Sequence, residues 1–415
     1  MKSDVLLQKI DCDESQIVAL CSDLVKIPSE DPPGDTTAIA AFVCSLLDRQ
    51  NLAYTVYAPQ PHMPNIIARI TGKKGGKRLV LNGHLDTYTA GDRSRWNWDP
   101  FSGAVEDGKL LGRGASDMKA GDTASIMTFL YMAEHRDQLV GELVLALVSD
   151  EETGSNWGVK WLLKNVPEFH GDALLIGEPF GPELVIFGEK GVLRIEFSAR
   201  GKAAHGAYVH LGDNAINKMN DFLRDLRGLE AMQFQPHETS HLHLAAKDTI
   251  DAINGRGAAA LLDRISVNIG TISGGYLVNL VPESCKSEVD IRLPLGVTTQ
   301  QILTEIDKIR SANPGIEYII TNRLEPSWTS VSDPIVQATL RAAEYVKGQA
   351  IHLICSIAAD DAAYIRPSQI ACALYGPRAY QMGAENEYIT VKDLMDTVKV
   401  HALASFDYLG LLEKS

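Results

Sequence analysis

The chain has 415 residues, of which 45% are apolar and 22% are charged, a composition typical of a globular protein. A chain of this length exceeds one compact core, so we expect two domains. Its 39 basic side chains against 53 acidic ones give a formal net charge of -14, which repels nucleic acids and anionic lipid surfaces. The composition therefore argues against nucleic-acid and membrane partners.

The N-terminal segment and the cysteines bear on the compartment. No apolar run approaches the roughly 20 residues of a membrane-spanning helix, and charges at Lys2, Asp4 and Lys9 interrupt the start of the chain. The six cysteines form no C-x-x-C pair, so neither a disulfide framework nor a zinc knuckle is predicted. We expect a cytoplasmic protein with reduced thiols and no cleaved signal.

The first half of the chain alternates short apolar runs with helical patterns. Residues 78–82, 142–148 and 173–176 are almost continuously apolar, which is typical of strands buried on both faces of a parallel sheet. Residues 118–135 and 157–163 carry apolar side chains at helical spacing. The pattern predicts an α/β domain with a mixed, mainly parallel sheet flanked by helices.

The middle of the chain has a different pattern, in which strands alternate between apolar and polar residues and helices are predicted at 214–226 and 299–309. The α/β pattern then returns. We therefore predict a discontinuous catalytic domain, formed by 1–190 and 326–415, and an inserted α+β domain at 191–325.

Two common motifs are missing. The glycine- and lysine-rich segment 71–78 lacks the spacing of a phosphate-binding loop and precedes a strand instead of following one, so we predict a hairpin turn there. No G-x-S-x-G sequence occurs, which argues against the simplest serine hydrolase.

Polar side chains follow each predicted parallel strand. The segments 83–87, 150–154 and 177–179 come directly after the three apolar runs, and the loop 112–119 opens the next helix. Because the carboxyl ends of parallel strands meet at one edge of a sheet, these segments are expected to lie together. One histidine and several carboxylates at such an edge are the ligand types of a zinc, manganese or cobalt site.

Two spacings refine this prediction. A carboxylate two residues after His84, at Asp86, can fix the orientation of a metal-bound imidazole. In the adjacent pair Glu151 and Glu152, one carboxylate can hold the metal while the other accepts a proton from the water that the metal activates. Asp117 alone could simply cap the helix that follows it.

Taken together, these segments resemble the M20 family of metallopeptidases and amidohydrolases over almost the whole chain. The matching motifs are GHLDT (83–87), WDPFSGAVEDGKLLGRGASDMKAG (98–121), DEETG (150–154), GEP (177–179), GKAAHGAYVHLGDNAI (201–216) and NLVPESCKSEVDIRLPLG (279–296). The resemblance implies that His84, Asp117 and Glu178 hold one metal ion, with Asp117 bridging to a second ion held by Glu152. It also implies that Glu151 is the general base and that Asp86 orients His84.

By the same resemblance, the inserted domain is a lid through which two copies of the chain form a homodimer. His205 matches the lid histidine that stabilises the oxyanion in a partner's active site. Arg292 and Asn279 match positions that bind a substrate carboxylate or support the site, although an ion pair within the sheet is an alternative for Arg292.

The chain departs from the family where a late histidine should bind the second ion, since that position is Gly383. His352 and His401 lie in apolar or helical surroundings and are interpreted as packing residues. A family G-P-G turn reads Gly376-Pro377-Arg378, so Arg378 brings a permanent positive charge to this region. We expect one tightly bound ion, Zn²⁺ or Mn²⁺ with Co²⁺ as an alternative, with Arg378 partly replacing the second; Glu385 or Glu387 as a surrogate ligand is the competing hypothesis.

The predicted function is hydrolysis of a C–N bond in a small, carboxylate-bearing substrate, in the first place the amide of an N-acyl amino acid or a peptide-like molecule. The missing histidine keeps open a single-ion aminohydrolase that releases ammonia from a small, carboxylate-bearing amine, which could be aromatic. A metal-binding relative without catalysis is the third hypothesis.

Overall fold

The computed structural model describes residues 2–412. The helices are α1 (Ser3–Cys12), α2 (Glu14–Val25), α3 (Thr37–Arg49), α4 (Ala120–Ala133), α5 (Val159–Asn165), α6 (Ala215–Leu226), α7 (Ser240–Ala245), α8 (Lys247–Asn254), α9 (Ala258–Leu262), α10 (Thr299–Ala312), α11 (Pro334–Lys347), α12 (Ala362–Ile365) and α13 (Val391–Tyr408). The strands are β1 (Tyr54–Gln60), β2 (Met63–Thr71), β3 (Lys73–His84), β4 (Val105–Glu106), β5 (Lys109–Leu111), β6 (Val140–Val148), β7 (Ala173–Ile176), β8 (Leu184–Glu189), β9 (Gly191–Arg200), β10 (Ala204–His205), β11 (Ser266–Gly274), β12 (Leu280–Val281), β13 (Ser284–Leu293), β14 (Ile316–Leu324), β15 (Ser327–Trp328), β16 (His352–Ser356), β17 (Ala371–Leu374) and β18 (Tyr388–Thr390).

The chain divides into two compact units. The first consists of the residues up to Phe187, Thr329–Ile354 and those from Asp360 onwards; the second consists of Gly188–Trp328 and Cys355–Ala359. The sequence placed the divisions at 190/191 and 325/326 and did not assign the short segment 355–359 to the second unit.

A mixed sheet forms the centre of the first unit, in the order β1-β2-β6-β3-β7-β17-β8. The four strands β6, β3, β7 and β17 are parallel to one another, and antiparallel strands lie on either side. Their apolar residues are buried almost without a break, as expected where helices cover both faces. This arrangement confirms the predicted α/β class with a mainly parallel sheet.

The register of the parallel strands positions the candidate site. His84, the last residue of β3, pairs with Val148, the last residue of β6, and Asn82 of β3 pairs with Ile176, the last residue of β7. The loops that follow these three strands therefore leave the sheet at the same edge. Helix α4, which follows the loop at 112–119, packs on β3 and β6 and is buried around most of its circumference.

The predicted hairpin at 71–78 is wrong. β2 and β3 do not pair with each other, because they lie on opposite sides of β6, with β2 antiparallel and β3 parallel to it. The connection is Gly72, which passes close to the residue before β6, since a Cβ atom there would lie 2.3 Å from the carbonyl oxygen of Leu139. Glycine at this position thus allows a crossover that the local sequence pattern does not distinguish from a turn.

The second unit contains a four-stranded antiparallel sheet in the order β11-β13-β9-β14. Buried and less buried residues alternate along β9 and β13, and the buried face packs against α6 and α10. This alternation explains why the sequences of these strands alternate between apolar and polar residues, whereas those of the first unit are almost continuously apolar. All six cysteines are free thiols. Four are buried, Cys44 is partly buried and Cys12 is exposed.

Candidate metal centre

His84 lies at the end of β3, buried, with its two ring nitrogens in different surroundings. Nδ1 lies 2.9 Å from the main-chain carbonyl oxygen of Asp86. Since a carbonyl can only accept, Nδ1 carries a proton, and Nε2 is the ring nitrogen that faces the carboxylates and could bind a metal. Asp86 therefore orients His84 through its backbone, while its Oδ2 accepts a hydrogen bond from the Glu152 backbone N–H at 3.0 Å.

Three carboxylates surround the free ring nitrogen. Asp117 Oδ1 lies 3.1 Å from His84 Nε2, Glu178 Oε1 lies 3.5 Å from it, and Glu151 Oε2 lies 4.0 Å from it. Each comes from a different loop at the carboxyl edge of the sheet, as the sequence predicted. The strand register is what brings residues so distant in sequence to one imidazole.

Glu152 completes the cluster. One ligand atom each from His84, Asp117 and Glu152 lies within 4.8 Å of the other two, a separation that one metal ion can span. The resemblance assigned Glu152 to a second ion that Asp117 bridges to the first, and the place of Glu152 beside Asp117 is compatible with that assignment. In the structure Glu152 shares a single compact group with His84 and Asp117, with Glu178 beside the same imidazole.

The electrostatics of this cluster favour a bound cation. Burial raises the pKa values of Glu151 and Glu178 well above their usual range, and their negatively charged neighbours raise them further. Burial, followed by the charge of Asp117, raises the pKa of Glu152 to about 9. Burial opposes protonation of His84, yet its hydrogen bond to Asp117 and the nearby carboxylates raise the pKa of the imidazole well above its usual value.

The donor set therefore fits a divalent metal. Without one, the carboxylates reduce their mutual repulsion by taking up protons, and a charged His84 offsets part of it. A further pair from the last third of the chain strengthens the negative field, because Asp360 contributes to the raised pKa of Glu178 and Asp361 to those of Glu178 and Glu151. Burial raises the pKa of Asp361 itself to about 6.

Both proposed surrogates for the late histidine are paired with arginines. Glu385 forms an ion pair with Arg95 at 2.8 Å. Glu387 is fully buried and binds Arg113 Nη1 at 2.6 Å. Gly383 adopts a left-handed backbone conformation with φ of 70°, and a Cβ atom there would lie 3.6 Å from the ring of Tyr88.

Glu387 has a role that the sequence did not suggest. Its Oε1 accepts hydrogen bonds from the Ser116 backbone at 2.9 Å, the Ser116 hydroxyl at 2.8 Å and the Asp117 backbone at 3.2 Å. These contacts hold the loop that carries Asp117, so Glu387 positions a ligand without being one.

Three further residues named in the sequence analysis, His352, His401 and Arg378, belong to the first unit. His401 Nε2 lies 2.8 Å from the Tyr375 carbonyl oxygen, and burial lowers its pKa to about 4, consistent with packing. His352 lies at the start of β16. Arg378 hydrogen-bonds to Tyr380, and its Nε is buried with no hydrogen-bond partner among residues 2–412.

The remaining predicted residues belong to the second unit. His205 is exposed, and its Nδ1 accepts a hydrogen bond from the Ala207 backbone at 3.1 Å. Asn279 accepts one from the Gly206 backbone through its carbonyl oxygen at 2.7 Å. Arg292 makes two contacts with Asp290, at 2.7 and 3.1 Å, which is the ion pair considered as its alternative role.

With this geometry established, comparison with known proteins is decisive. The model of peptidase family M20/M25/M40 matches residues 80–406. The chain belongs to this family. Among M20-like relatives, the probable succinyl-diaminopimelate desuccinylase of Staphylococcus aureus strain N315 is 25% identical over 412 residues, covering 95% of this chain and 98% of the relative.

Solved structures agree on the fold. The M20 family metallo-carboxypeptidase Sso-CP2 of Sulfolobus solfataricus superposes with a TM-score of 0.80 at 20% identity, over 95% of this chain and 99% of that one. The YXEP protein of Bacillus subtilis, described as a dinuclear metal-binding peptidase of the M20 family, superposes with a TM-score of 0.69 at 14% identity, over 97% of this chain and 100% of that one.

Membership of the M20 family confirms the predicted family and enzyme class. The chain is a metallohydrolase of the kind that acts on amide C–N bonds, and its family implies a divalent metal. No helix among the described residues has the length and apolar character needed to cross a membrane.

Proposed function

We propose that this M20 protein hydrolyses the amide bond of a small N-acyl amino acid or peptide-like substrate that bears a carboxylate. The observation that carries the proposal is the convergence of His84, Asp117 and Glu152 within 4.8 Å, with Glu178 and Glu151 beside the same imidazole. Four of these residues, His84, Asp117, Glu152 and Glu178, would hold the metal. The donor set of one imidazole and several carboxylates suits Zn²⁺ or Mn²⁺, with Co²⁺ as an alternative.

When bound, such an ion supplies Lewis acidity toward the amide carbonyl and lowers the pKa of water at the site. Glu151 supplies the proton transfer. Its carboxylate lies 4.0 Å from His84 Nε2, and burial raises its pKa, so it can accept a proton from the attacking water and return it to the leaving amine. His84 is held in the required tautomer by the Asp86 carbonyl oxygen.

We infer one ion per chain where the dinuclear relative binds two. Glu152, which the sequence assigned to a second ion, belongs to the same compact group as His84 and Asp117. Position 383 offers no side chain, and Glu385 and Glu387 are bound to arginines. Arg378 supplies a positive charge in the same unit as the cluster.

Further side chains are needed to bind the substrate carboxylate and to stabilise the oxyanion. Arg378 is one candidate for the carboxylate, because its buried Nε has no partner among the described residues and a charged donor left unpaired is costly. From the second unit, we propose that His205 stabilises the oxyanion and that Arg292 and Asn279 support substrate binding. We further propose a cytoplasmic homodimer that assembles through the second unit.

The test is a panel of N-acyl amino acids, dipeptides and arylamines assayed with wild-type protein, Glu151→Gln and the control Glu106→Gln, which alters an exposed carboxylate on β4. We expect release of amine and carboxylate by wild type and Glu106→Gln. Glu151→Gln should retain its metal and lose turnover. Release of ammonia without a carboxylate would instead establish an aminohydrolase, and turnover by Glu151→Gln would refute the assigned base.

A further inference from the structure

The loop that follows β6 carries both Glu151 and Glu152, and its position against β3 determines how far their carboxylates lie from His84. We propose that Asp361 is a positioning residue that fixes this loop, residues 150–155, to β3. The inference rests on the metal site of the proposed function, and it concerns a residue that would neither bind the metal nor transfer the proton.

Asp361 binds the loop and the strand with its two carboxylate oxygens. The Ser155 hydroxyl donates to Oδ1 at 2.6 Å, and the Asn82 side-chain amide donates to Oδ2 at 3.2 Å. Ser155 is the last residue of the loop, and Asn82 lies two residues before His84 on β3. One carboxylate therefore connects the segment that carries the two glutamates with the strand that carries the imidazole.

Both hydrogen bonds are shielded from solvent. Asp361 is 1% exposed, and Ser155 and Asn82 are completely buried. Hydrogen bonds to a charged acceptor are stronger than those between neutral groups, and water does not compete for buried ones. The connection is therefore suited to hold the loop in one place.

The backbone of the loop also depends on such contacts. Asp150 and Ser155, at its two ends, adopt left-handed conformations with φ of 70° and 59°. Residues other than glycine rarely adopt this conformation, and they keep it only where the surrounding contacts hold them. The Asp150 carboxylate accepts a hydrogen bond from the Trp157 backbone N–H at 2.8 Å, and Asp361 provides the side-chain contact at Ser155. Without the Asp361 contact, we expect the end of the loop to relax and Glu152 to lose its fixed place.

The experiment titrates metal-free protein with Mn²⁺ alone to obtain the dissociation constant. Ser155→Ala removes the hydroxyl without changing the charge near the cluster. We expect it to bind Mn²⁺ roughly 10-fold more weakly, the lower end of the loss that is typical when a group supporting a metal ligand is removed. Ser240→Ala is the matched control, because it removes a hydroxyl that donates to the Asp263 carboxylate at 2.7 Å in the second unit. This control should bind Mn²⁺ as the wild-type protein does.

A second pair of variants separates position from charge. Asp361→Ala and Asp361→Asn both remove the negative charge, but the amide can keep both hydrogen bonds. Asn82 Oδ1 is buried with no hydrogen-bond partner among residues 2–412, so Asn82 can turn its amide over and accept from the new amide group. We expect Asp361→Asn to bind Mn²⁺ roughly 10-fold more tightly than Asp361→Ala.

Unchanged Mn²⁺ affinity in Ser155→Ala would overturn the proposal, and so would equal affinities of Asp361→Asn and Asp361→Ala. A lower unfolding midpoint with unchanged Mn²⁺ affinity would also overturn it, since Asp361 would then only stabilise the fold. The titration contains no substrate, so its outcome is independent of amide hydrolysis. Failure of the proposed function would appear separately, as wild-type protein that binds Mn²⁺ and cleaves no amide.

Discussion

Glu387 offers the sharpest test of how the site is held, because a neighbouring glutamate provides an internal control. Glu387 is fully buried, binds Arg113 at 2.6 Å, and accepts three hydrogen bonds from Ser116 and Asp117. Glu387→Gln keeps the shape of the side chain but removes its charge, which leaves the buried Arg113 guanidinium without its counter-ion. Breaking such a buried pair costs about 3–5 kcal/mol.

Glu385→Gln removes a charge only two residues away. Its partner Arg95 is 67% exposed, so solvent screens the pair and the expected cost is about 0–1 kcal/mol. The assay is urea unfolding of metal-free protein, which separates the loss of these contacts from the loss of metal binding. We expect a large shift of the unfolding midpoint for Glu387→Gln and almost none for Glu385→Gln. Equal small shifts would refute the view that Glu387 holds the Asp117 loop.

Three further predictions follow from the same region and the second unit. Gly83→Ala should lower the free energy of unfolding by about 1–3 kcal/mol, because its Cβ would lie 2.2 Å from Asp122 Oδ1. The control Gly228→Ala, whose Cβ would meet nothing within 4 Å, should leave the free energy of unfolding almost unchanged. Burial raises the pKa of Asp122 to about 8, so its ionisation should destabilise metal-free protein as the pH rises from about 4 towards 8; Asp122→Asn should flatten that decline in pH-dependent unfolding. His205→Ala should lower kcat about 10²- to 10³-fold with unchanged metal content, if His205 supplies one oxyanion donor; unchanged kcat would contradict that role.

Much of the site could be predicted because the ends of buried strands can be recognised in a sequence from the end of an apolar run. His84, Glu151 and Glu178 each follow an almost continuously apolar run, and parallel strands in register carry such residues to one edge. The ion pair of Arg292 with Asp290 was also within reach, since residues two apart on a strand share a face.

Other features depend on long-range contacts that no local pattern encodes. Glu387 lies 271 residues from Ser116, and nothing in its neighbourhood indicates that its carboxylate turns inward to that loop instead of towards a metal. The crossover at 71–78 resembles a turn because its defining contact is with β6, more than sixty residues later.

The grouping of ligands is compatible with the one-ion site that the missing histidine suggested. His84, Asp117 and Glu152 each offer a ligand atom within 4.8 Å of the other two, and Gly383 has no side chain to offer a further donor. Burial and neighbouring carboxylates raise the pKa values of Glu151, Glu152 and Glu178, and a bound cation would lower them. The one-ion site therefore stays a proposal, with Glu151 as its base.

The measurement that tests this account most directly is the titration of metal-free protein with Zn²⁺ or Mn²⁺ while amine release from a cleaved amide is followed. Amide hydrolysis should be absent without metal and should rise linearly to a sharp limit at one equivalent per chain. A limit at two equivalents, or hydrolysis that does not depend on added metal, would contradict the account.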